Sequence, residues 1–319
     1  MKSSRPKVLH EIGGKSLLGH LLASINPLEL SQVVVVVGYR ENLVRDSLSD
    51  REIVFAVQGE QRGTAHALQQ AKEKIESEAI LVLPGDLPLV KTSSLERFID
   101  FSNNRKADLS LLTVKRDDPS GYGRIKRSGD GSIKEIVEEQ DATVEEKRIK
   151  EINTGIYLLP NGKDLWSEID SIDSANAQGE FYLTDLVKNF AQKGKSVKAF
   201  KAERQEEFLG VNTRKDLVFS GEVLNRRKIN SLLDSGVTII DPESTIIESN
   251  VNIGRDTIVE PFSIIRGDTT IGSDSKIGPH VEIVDGKIGE EVEISHAVVK
   301  SAAVKDNRTV EPFNFLGPY

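Results

Sequence analysis

The first two thirds of the chain alternate apolar runs with segments in which apolar residues follow a helical spacing. The runs predict strands at 32–37, 79–83 and 107–114, and the helical spacing predicts helices at 16–23, 64–74 and 95–101. Each predicted strand is apolar along most of its length, as expected for a strand that is buried on both faces. Strands that alternate with helices are typical of an α/β domain with a mostly parallel sheet, where ligands bind at the carboxyl ends of strands.

The last third of the chain has a different period. Apolar residues at helical spacing predict one long connector helix from residue 214 to 236. After Gly236, aliphatic residues lie six apart at Ile247, Ile253, Val259, Ile265, Ile271, Ile277 and Ile283. A fixed short repeat indicates stacked coils, and a period of six is typical of a parallel β-helix. The repeat is expected to break down after Ile294.

Composition narrows the class of protein. The 319 residues carry a formal net charge of −8 without a long basic run, which argues against non-specific nucleic-acid binding. The chain contains no cysteine, so disulfides and thiolate metal sites are excluded. No apolar run approaches the roughly 18 residues of a membrane-spanning helix, and no membrane partner is expected.

Two charged residues and one loop are candidates for nucleotide chemistry. Lys7 is either a cation that neutralises phosphate charge or an ordinary surface lysine. Asp86 follows a predicted buried strand, where its carboxylate suits Mg²⁺ or ends the strand in a turn. In the loop, the amide of Gln58 offers the donor and the acceptor that a uracil edge requires, Gly63 permits close approach of a ligand, and Thr64 is expected to cap the following helix.

Four later segments carry polar residues beside apolar strand positions. They are 121–125, 136–142, 151–156 and 176–185. Carboxylate, amide and hydroxyl groups of these segments are what sugar hydroxyls need, although each segment alone is more often a turn than a site. Asn212 offers a neutral oxygen ligand 126 residues after Asp86.

Taken in order, these segments and the hexapeptide repeat resemble the family of bifunctional N-acetylglucosamine-1-phosphate uridylyltransferases/glucosamine-1-phosphate acetyltransferases (GlmU). The matching runs are 6–10, 58–67, 85–89, 121–125, 136–143, 151–156, 176–185 and 210–212. The resemblance implies a Rossmann-like nucleotidyltransferase domain at 1–213, the connector helix at 214–236 and a truncated left-handed β-helix at 237–319. It also implies a homotrimer if the β-helix assembles, and the absence of cysteine fits a cytoplasmic protein.

The resemblance assigns roles to residues. The implied metal ligands are Asp86 and Asn212, the uracil contacts Gln58, Gly63 and Thr64, the sugar contacts Gly123, Glu138, Asn153, Tyr182 and Thr184, and the phosphate cation Lys7. The implied reaction is Mg²⁺-dependent transfer of UMP from UTP to N-acetylglucosamine 1-phosphate, for peptidoglycan and lipopolysaccharide precursors. A related nucleotidylyltransferase with another sugar or base, and an inactive UDP-sugar-binding or assembly remnant, are the alternatives.

Two departures from the family pattern lead to further expectations. Met1 corresponds to the final Met of the family's G-x-G-T-R-M phosphate loop, so the front half of that loop is missing. The strand before the loop, which in the family lies between the strands here at 32–37 and 79–83, is missing as well. We therefore expect a fragment or a start placed too late. The family's acetyltransferase site lies in later coils than those present, so no acetyl transfer by this polypeptide is expected.

Overall fold

The computed structural model describes residues 1–318, which form two compact units. The first unit comprises Met1–His10 and Leu17–Val211, and the second comprises Glu11–Ser16 and the chain from Asn212 onward. The predicted domains follow chain order alone, whereas the short hairpin at Glu11–Ser16 folds with the second unit. No helix within residues 1–318 combines the length and the apolarity needed to cross a membrane.

Strands and α-helices of ordinary length precede the β-helix. The strands are β1 (Glu11–Ile12), β2 (Lys15–Ser16), β3 (Val34–Val37), β4 (Val54–Val57), β5 (Ala79–Val82), β6 (Leu109–Lys115), β7 (Arg124–Arg127), β8 (Ile133–Val137), β9 (Glu151–Pro160) and β10 (Val197–Ala202). The helices are α1 (Leu17–Ile25), α2 (Glu41–Asp46), α3 (Thr64–Ala71), α4 (Thr92–Arg105), α5 (Lys163–Asp170), α6 (Asp185–Gln192) and α7 (Arg214–Asp234).

The main sheet of the first unit is mixed, with mostly antiparallel pairings, rather than mostly parallel as expected. Its strand order is β10-β6-β9-β7-β8, and β5 pairs with β9. β10 and β6 are parallel, whereas β9 runs antiparallel to both β5 and β6. β9 follows the β7–β8 hairpin instead of a crossover helix, and a hairpin returns the chain in the opposite direction.

Strand β6 shows why the strand sequences of the first unit are apolar at consecutive positions. Leu109 and Leu111 pack into one apolar cluster, and Leu112 and Val114 pack into another. Side chains at odd and even positions of a strand point to opposite faces, so the two clusters lie on opposite sides of the sheet. The sheet is therefore covered on both faces, as the sequence predicts.

Strands β3 and β4 form a separate two-stranded parallel sheet. Among residues 1–318, β3 pairs only with β4, and β5 pairs only with β9. A cavity of about 620 Å³ is lined by both β3 and β5 and by apolar side chains of α1 and α3, such as Leu21 and Leu68. The polar side chains of Glu138, Asn153 and Thr184 line the same cavity.

The second unit contains helix α7 and a parallel β-helix. Its strands are β11 (Thr238–Ile239), β12 (Ile246–Ile247), β13 (Asn252–Ile253), β14 (Ile258–Val259), β15 (Ile264–Arg266), β16 (Thr270–Ile271), β17 (Lys276–Ile277), β18 (Glu282–Val284), β19 (Lys287–Ile288), β20 (Glu293–Ile294), β21 (Val298–Lys300), β22 (Ala303–Val304), β23 (Thr309–Val310) and β24 (Phe315–Leu316). They stack as three parallel sheets around an Ile- and Val-rich core. The expected left-handed β-helix fold is confirmed.

The expectation that the repeat breaks down after Ile294 is wrong. Val299, Val304 and Val310 are buried in the same core, and β24 still pairs with β21. The coil shortens instead, because Ile283 stacks on Ile265 eighteen residues earlier but Val299 stacks on Ile283 after sixteen. A search for aliphatic residues exactly six apart misses these coils, because their buried residues are still present but no longer evenly spaced in the sequence.

Candidate active site

Lys7 and Asp86, which are far apart in the sequence, form an ion pair in the first unit. Lys7 opens a single 3-10 turn whose last residue, Leu9, is buried and anchors it. Lys7 Nζ donates to Asp86 Oδ2 at 2.5 Å. The backbone of Asp86 is held as well, because its carbonyl accepts from the N–H of Val211 at 3.1 Å. The ion pair thus sits just beyond the carboxyl end of β5.

The predicted base-binding loop is fastened to a second predicted segment by backbone hydrogen bonds. The N–H of Phe181 donates to the carbonyl of Arg62 at 2.8 Å, and the N–H of Ala65 donates to the carbonyl of Phe181 at 2.9 Å. Gly63 lies between these bonds with φ +110°, and a Cβ there would be 2.5 Å from the Phe181 oxygen. The close approach therefore requires glycine at this position.

Thr64 does not cap the following helix as expected. Gly63 is the N-cap residue of α3 and no side chain caps the helix. The hydroxyl of Thr64 instead accepts from the N–H of Leu183 at 2.9 Å. The Thr64 hydroxyl oxygen, which the local sequence pattern predicts to cap α3, is therefore bonded to the backbone of a residue far away in the sequence.

The predicted sugar contacts Glu138, Thr184, Asn153 and Gly123 form a cluster of two hydrogen-bonded pairs, which are neighbours because a Cβ on Gly123 would lie 3.3 Å from Glu138 Oε2. The hydroxyl of Thr184 donates to Glu138 Oε1 at 3.0 Å, and the N–H of Asn153 donates to the carbonyl of Gly123 at 2.8 Å. Asn153 Nδ2 also donates to the hydroxyl of Tyr157 at 2.8 Å, so Tyr157 is a member of the cluster that the sequence motifs did not indicate.

Two of the predicted sugar contacts have a raised pKa. Burial raises the pKa of Glu138 above its ordinary value, against the opposing hydrogen bond from Thr184. Burial, reinforced by nearby carboxylates, raises the pKa of Tyr182 to about 12. The hydroxyl of Tyr182 is buried and has no hydrogen-bond partner among residues 1–318. A buried polar atom without a partner is costly unless a ligand or water satisfies it.

The cavity beside β3 and β5 brings several of these segments to one place. Thr64, Gly85, Glu138, Asn153 and Thr184 all line it. The remaining candidates are not part of its lining; they are Lys7, Gln58, Gly63, Asp86, Gly123, Tyr182 and Asn212.

A buried arginine that the motifs did not single out holds the glycine-rich hairpin. Arg124 is 1% exposed, and its guanidinium donates to Glu139 Oε2 at 2.6 Å and to the carbonyl of Tyr122. The same Glu139 oxygen accepts from the N–H of Gly121 at 3.1 Å. These bonds fix the turn that carries Gly123.

Asn212 opens the second unit, where its N–H donates to Asp216 Oδ2 at 3.0 Å. Its predicted role as a metal ligand together with Asp86 stays a prediction. Within the described part of the chain, no group of three or more His, Cys, Asp or Glu residues is placed to hold a metal ion.

Two family models match this chain. The family model described as nucleotidyl transferase matches residues 2–207, and the model described as bacterial transferase hexapeptide (six repeats) matches residues 250–285.

The chain belongs to the nucleotidyl transferase family.

Curated relatives narrow this assignment, because the whole chain aligns with proteins named bifunctional protein GlmU. The one from Clostridioides difficile is 42% identical over 100% of this chain and 69% of the relative. The one from Syntrophomonas wolfei is 40% identical over 100% of this chain and 71% of the relative. The expected resemblance to the GlmU family is therefore confirmed. Members of this nucleotidyl transferase family generally use a divalent metal ion.

Solved structures agree with the fold of the first unit. HddC from Yersinia pseudotuberculosis superposes with a TM-score of 0.52 at 22% identity, over 69% of this chain and 90% of HddC. A putative glucose-1-phosphate thymidylyltransferase from Bacillus anthracis superposes with a TM-score of 0.57 at 20% identity, over 68% of this chain and 85% of that one. At these identities the likeness concerns the fold alone.

Proposed function

We propose that this GlmU-family chain transfers UMP from UTP to N-acetylglucosamine 1-phosphate, giving UDP-N-acetylglucosamine and pyrophosphate. One observation carries the proposal. The loop with the predicted uracil contacts is hydrogen-bonded, through Phe181 and Leu183, to the segment that bears the predicted sugar contact Thr184. A base site and a sugar site held side by side suit a nucleotide-sugar product.

The sugar end of this site offers both kinds of hydrogen bond. The carboxylate of Glu138 accepts from sugar hydroxyls, and Thr184 holds it in place. The hydroxyl of Tyr182 has no hydrogen-bond partner among residues 1–318 and is protonated at neutral pH, as tyrosine is even without a raised pKa, so it can donate to a ligand oxygen. A ligand that reaches this hydroxyl would satisfy a polar group that the protein alone leaves without a partner.

The phosphate end depends on Lys7 and Asp86. Asp86 is 15% exposed in its side chain and provides carboxylate oxygens, the type of ligand that Mg²⁺ prefers beside substrate phosphates. When bound, Mg²⁺ would neutralise phosphate charge and polarise phosphoryl oxygens. The ammonium group of Lys7 adds a second positive charge for the leaving pyrophosphate.

In the proposed reaction, a phosphate oxygen of N-acetylglucosamine 1-phosphate attacks the α-phosphorus of UTP. A new P–O bond forms while the bond from the α-phosphorus to the bridging oxygen breaks, and pyrophosphate leaves with that electron pair. The protein forms no covalent intermediate. Its contribution is to position the two substrates and to neutralise charge.

We further propose a cytoplasmic homotrimer that assembles through the β-helix. Ile240, Ile246 and Ile258 are exposed on its coils and provide apolar surface for contact with other copies. Light scattering of the purified chain should give three times the mass of 35.2 kDa. A monomer at micromolar concentration would contradict this part of the proposal.

The direct test is pyrophosphate release from UTP, N-acetylglucosamine 1-phosphate and Mg²⁺. The proposal expects turnover that depends on both substrates and on the metal, and that falls when glucose 1-phosphate or CTP is substituted. Absence of turnover together with absence of UDP-N-acetylglucosamine binding by calorimetry would overturn it. Faster turnover with another sugar phosphate or base would replace it with a related nucleotidylyltransferase activity.

A further inference from the structure

The side-chain amide of Gln58 is held in one orientation by two neighbours. Its Nε2 atom lies 3.0 Å from the carbonyl oxygen of Gly63 and 3.1 Å from Nδ1 of His66. A backbone carbonyl can only accept a hydrogen bond, so the nitrogen of the amide, and not its oxygen, must face Gly63. The contact with Gly63 therefore fixes which way round the amide lies.

The contact with His66 then fixes the state of the imidazole ring. The second N–H of the Gln58 amide points to Nδ1 of His66, which must carry no proton in order to accept it. A neutral His66 consequently carries its proton on Nε2. That atom lies 3.2 Å from the amide of Gln70, which can accept through its oxygen after a half-turn of the amide group.

These bonds use both N–H groups of Gln58 and leave its oxygen for a ligand. No donor among residues 1–318 reaches Gln58 Oε1, and the residue is only half-buried. The site therefore presents an acceptor alone, although a glutamine amide could in principle offer either a donor or an acceptor.

We propose that His66 is a positioning residue for base selection: it locks the Gln58 amide so that Oε1 accepts from N3–H of uracil. This inference rests on the proposed function, in which Gln58 faces the base. Cytosine has an unprotonated N3, and two acceptors facing each other leave both without a donor. The lock thus favours UTP over CTP without any contact between His66 and the nucleotide.

The first test determines the tautomer of His66 in the absence of substrate. Two-dimensional ¹⁵N NMR of the histidine rings, with the His66 signals identified by their loss in His66→Leu, should show a proton on Nε2 and none on Nδ1. A proton on Nδ1 would overturn the proposal whatever the activity of the chain, because that tautomer cannot accept from Gln58.

The second test reads base preference. His66→Leu removes one of the two hydrogen bonds that hold the Gln58 amide and leaves only the bond to Gly63. We therefore expect the ratio of kcat/KM for UTP to that for CTP to fall roughly tenfold, with the KM for the sugar phosphate unchanged. Gln70→Leu is the matched control, since it alters the neighbour of the other ring nitrogen and keeps the Nδ1 acceptor. An unchanged ratio in His66→Leu would contradict the proposal.

The two tests separate this inference from the proposed function. If turnover is too slow, the dissociation constants of UMP and CMP replace kcat/KM. Failure to bind either nucleotide would overturn the proposed function and the base selection together. Tight binding of UMP by both the wild type and His66→Leu, with CMP rejected equally by both, would leave the function standing and overturn the role of His66 alone.

Discussion

Lys7 Nζ lies 2.5 Å from Asp86 Oδ2, although 79 residues separate them in the sequence. The side chains are 38% and 15% exposed, so the pair is accessible to a charged ligand. The two side chains neutralise each other in the free protein, and we propose that Lys7 turns to phosphate and Asp86 to a metal ion when substrates bind.

Asp86→Asn should therefore abolish most activity while preserving the fold. The change removes the charged oxygen that faces Lys7 and that we propose as a metal ligand, and we expect kcat/KM to fall by about 100-fold or more. Pyrophosphate release measures this loss, and circular dichroism checks the fold. Asp130→Asn, an exposed change in the turn between β7 and β8, is the control and should retain full activity. Equal activity of the two variants would rule out the assigned role.

Glu138→Gln should separate binding from stability. The neutral amide is a weaker acceptor for sugar hydroxyls than a carboxylate, so the KM for the sugar phosphate should rise about tenfold. Because burial raises the pKa of Glu138 above 4.5, the wild type is destabilised as pH rises through that folded-state pKa.

Urea unfolding at pH 4 and pH 7 checks the sign of this effect. The stability of Glu138→Gln relative to the wild type should be higher at pH 7 than at pH 4, since glutamine never ionises. The opposite trend would mean that the carboxylate is stabilised in the folded protein and that its pKa is lowered.

Gly63→Ala should damage the base loop. An alanine at φ +110° is strained, and its Cβ would meet the backbone oxygen of Phe181 at 2.5 Å. We expect a loss of about 2 kcal/mol in the free energy of unfolding and a higher KM for UTP. Gly59→Ala in the same loop is the control, because no atom lies within 4 Å of the added Cβ. Similar melting temperatures for the two variants would contradict the close approach at Gly63.

Ser94→Ala should destabilise the first unit without touching the site. Ser94 donates to Glu207 Oε2 at 2.6 Å, and Glu207 is 1% exposed. Removal of the hydroxyl leaves a buried carboxylate oxygen without its donor, which costs about 2 kcal/mol. The midpoint of urea unfolding measures this. The exposed neighbour Ser93, changed to alanine, should alter stability by less than about 0.5 kcal/mol.

Val299→Ala tests the coils that the six-residue period misses. Val299 is fully buried and stacks on Ile283, so truncation should lower the free energy of unfolding of the second unit by about 2 kcal/mol. Lys305→Ala, an exposed change in the same part of the β-helix, should have almost no effect. If Val299→Ala were equally silent, these coils would not be packed as described.

Much of the fold could be read from the sequence because it depends on local periodicity. The two-sided apolar runs predicted the covered sheet, and the isoleucines six apart predicted the β-helix. The antiparallel direction of β9 could not be read in this way, because a strand's direction depends on its hydrogen-bonded neighbours and not on its own pattern. The shorter coils after Ile294 were not predicted, because the search assumed a fixed spacing of six residues. Stacked coils keep their core even when the number of residues per coil changes.

For the candidate site, the sequence by itself determined which residue types were available: a lysine, an aspartate after a strand, a loop with a glutamine, and a set of polar groups that we predict to bind the sugar. Only the tertiary structure decided their partners. In the folded chain Lys7 pairs with Asp86, and the hydroxyl of Thr64 accepts from Leu183. Buried Arg124 donates to Glu139, and the amide of Gln58 is hydrogen-bonded to His66. The physical reason is that hydrogen-bonding capacity belongs to each side chain, whereas the choice of partner is made by backbone segments that meet only when the chain folds.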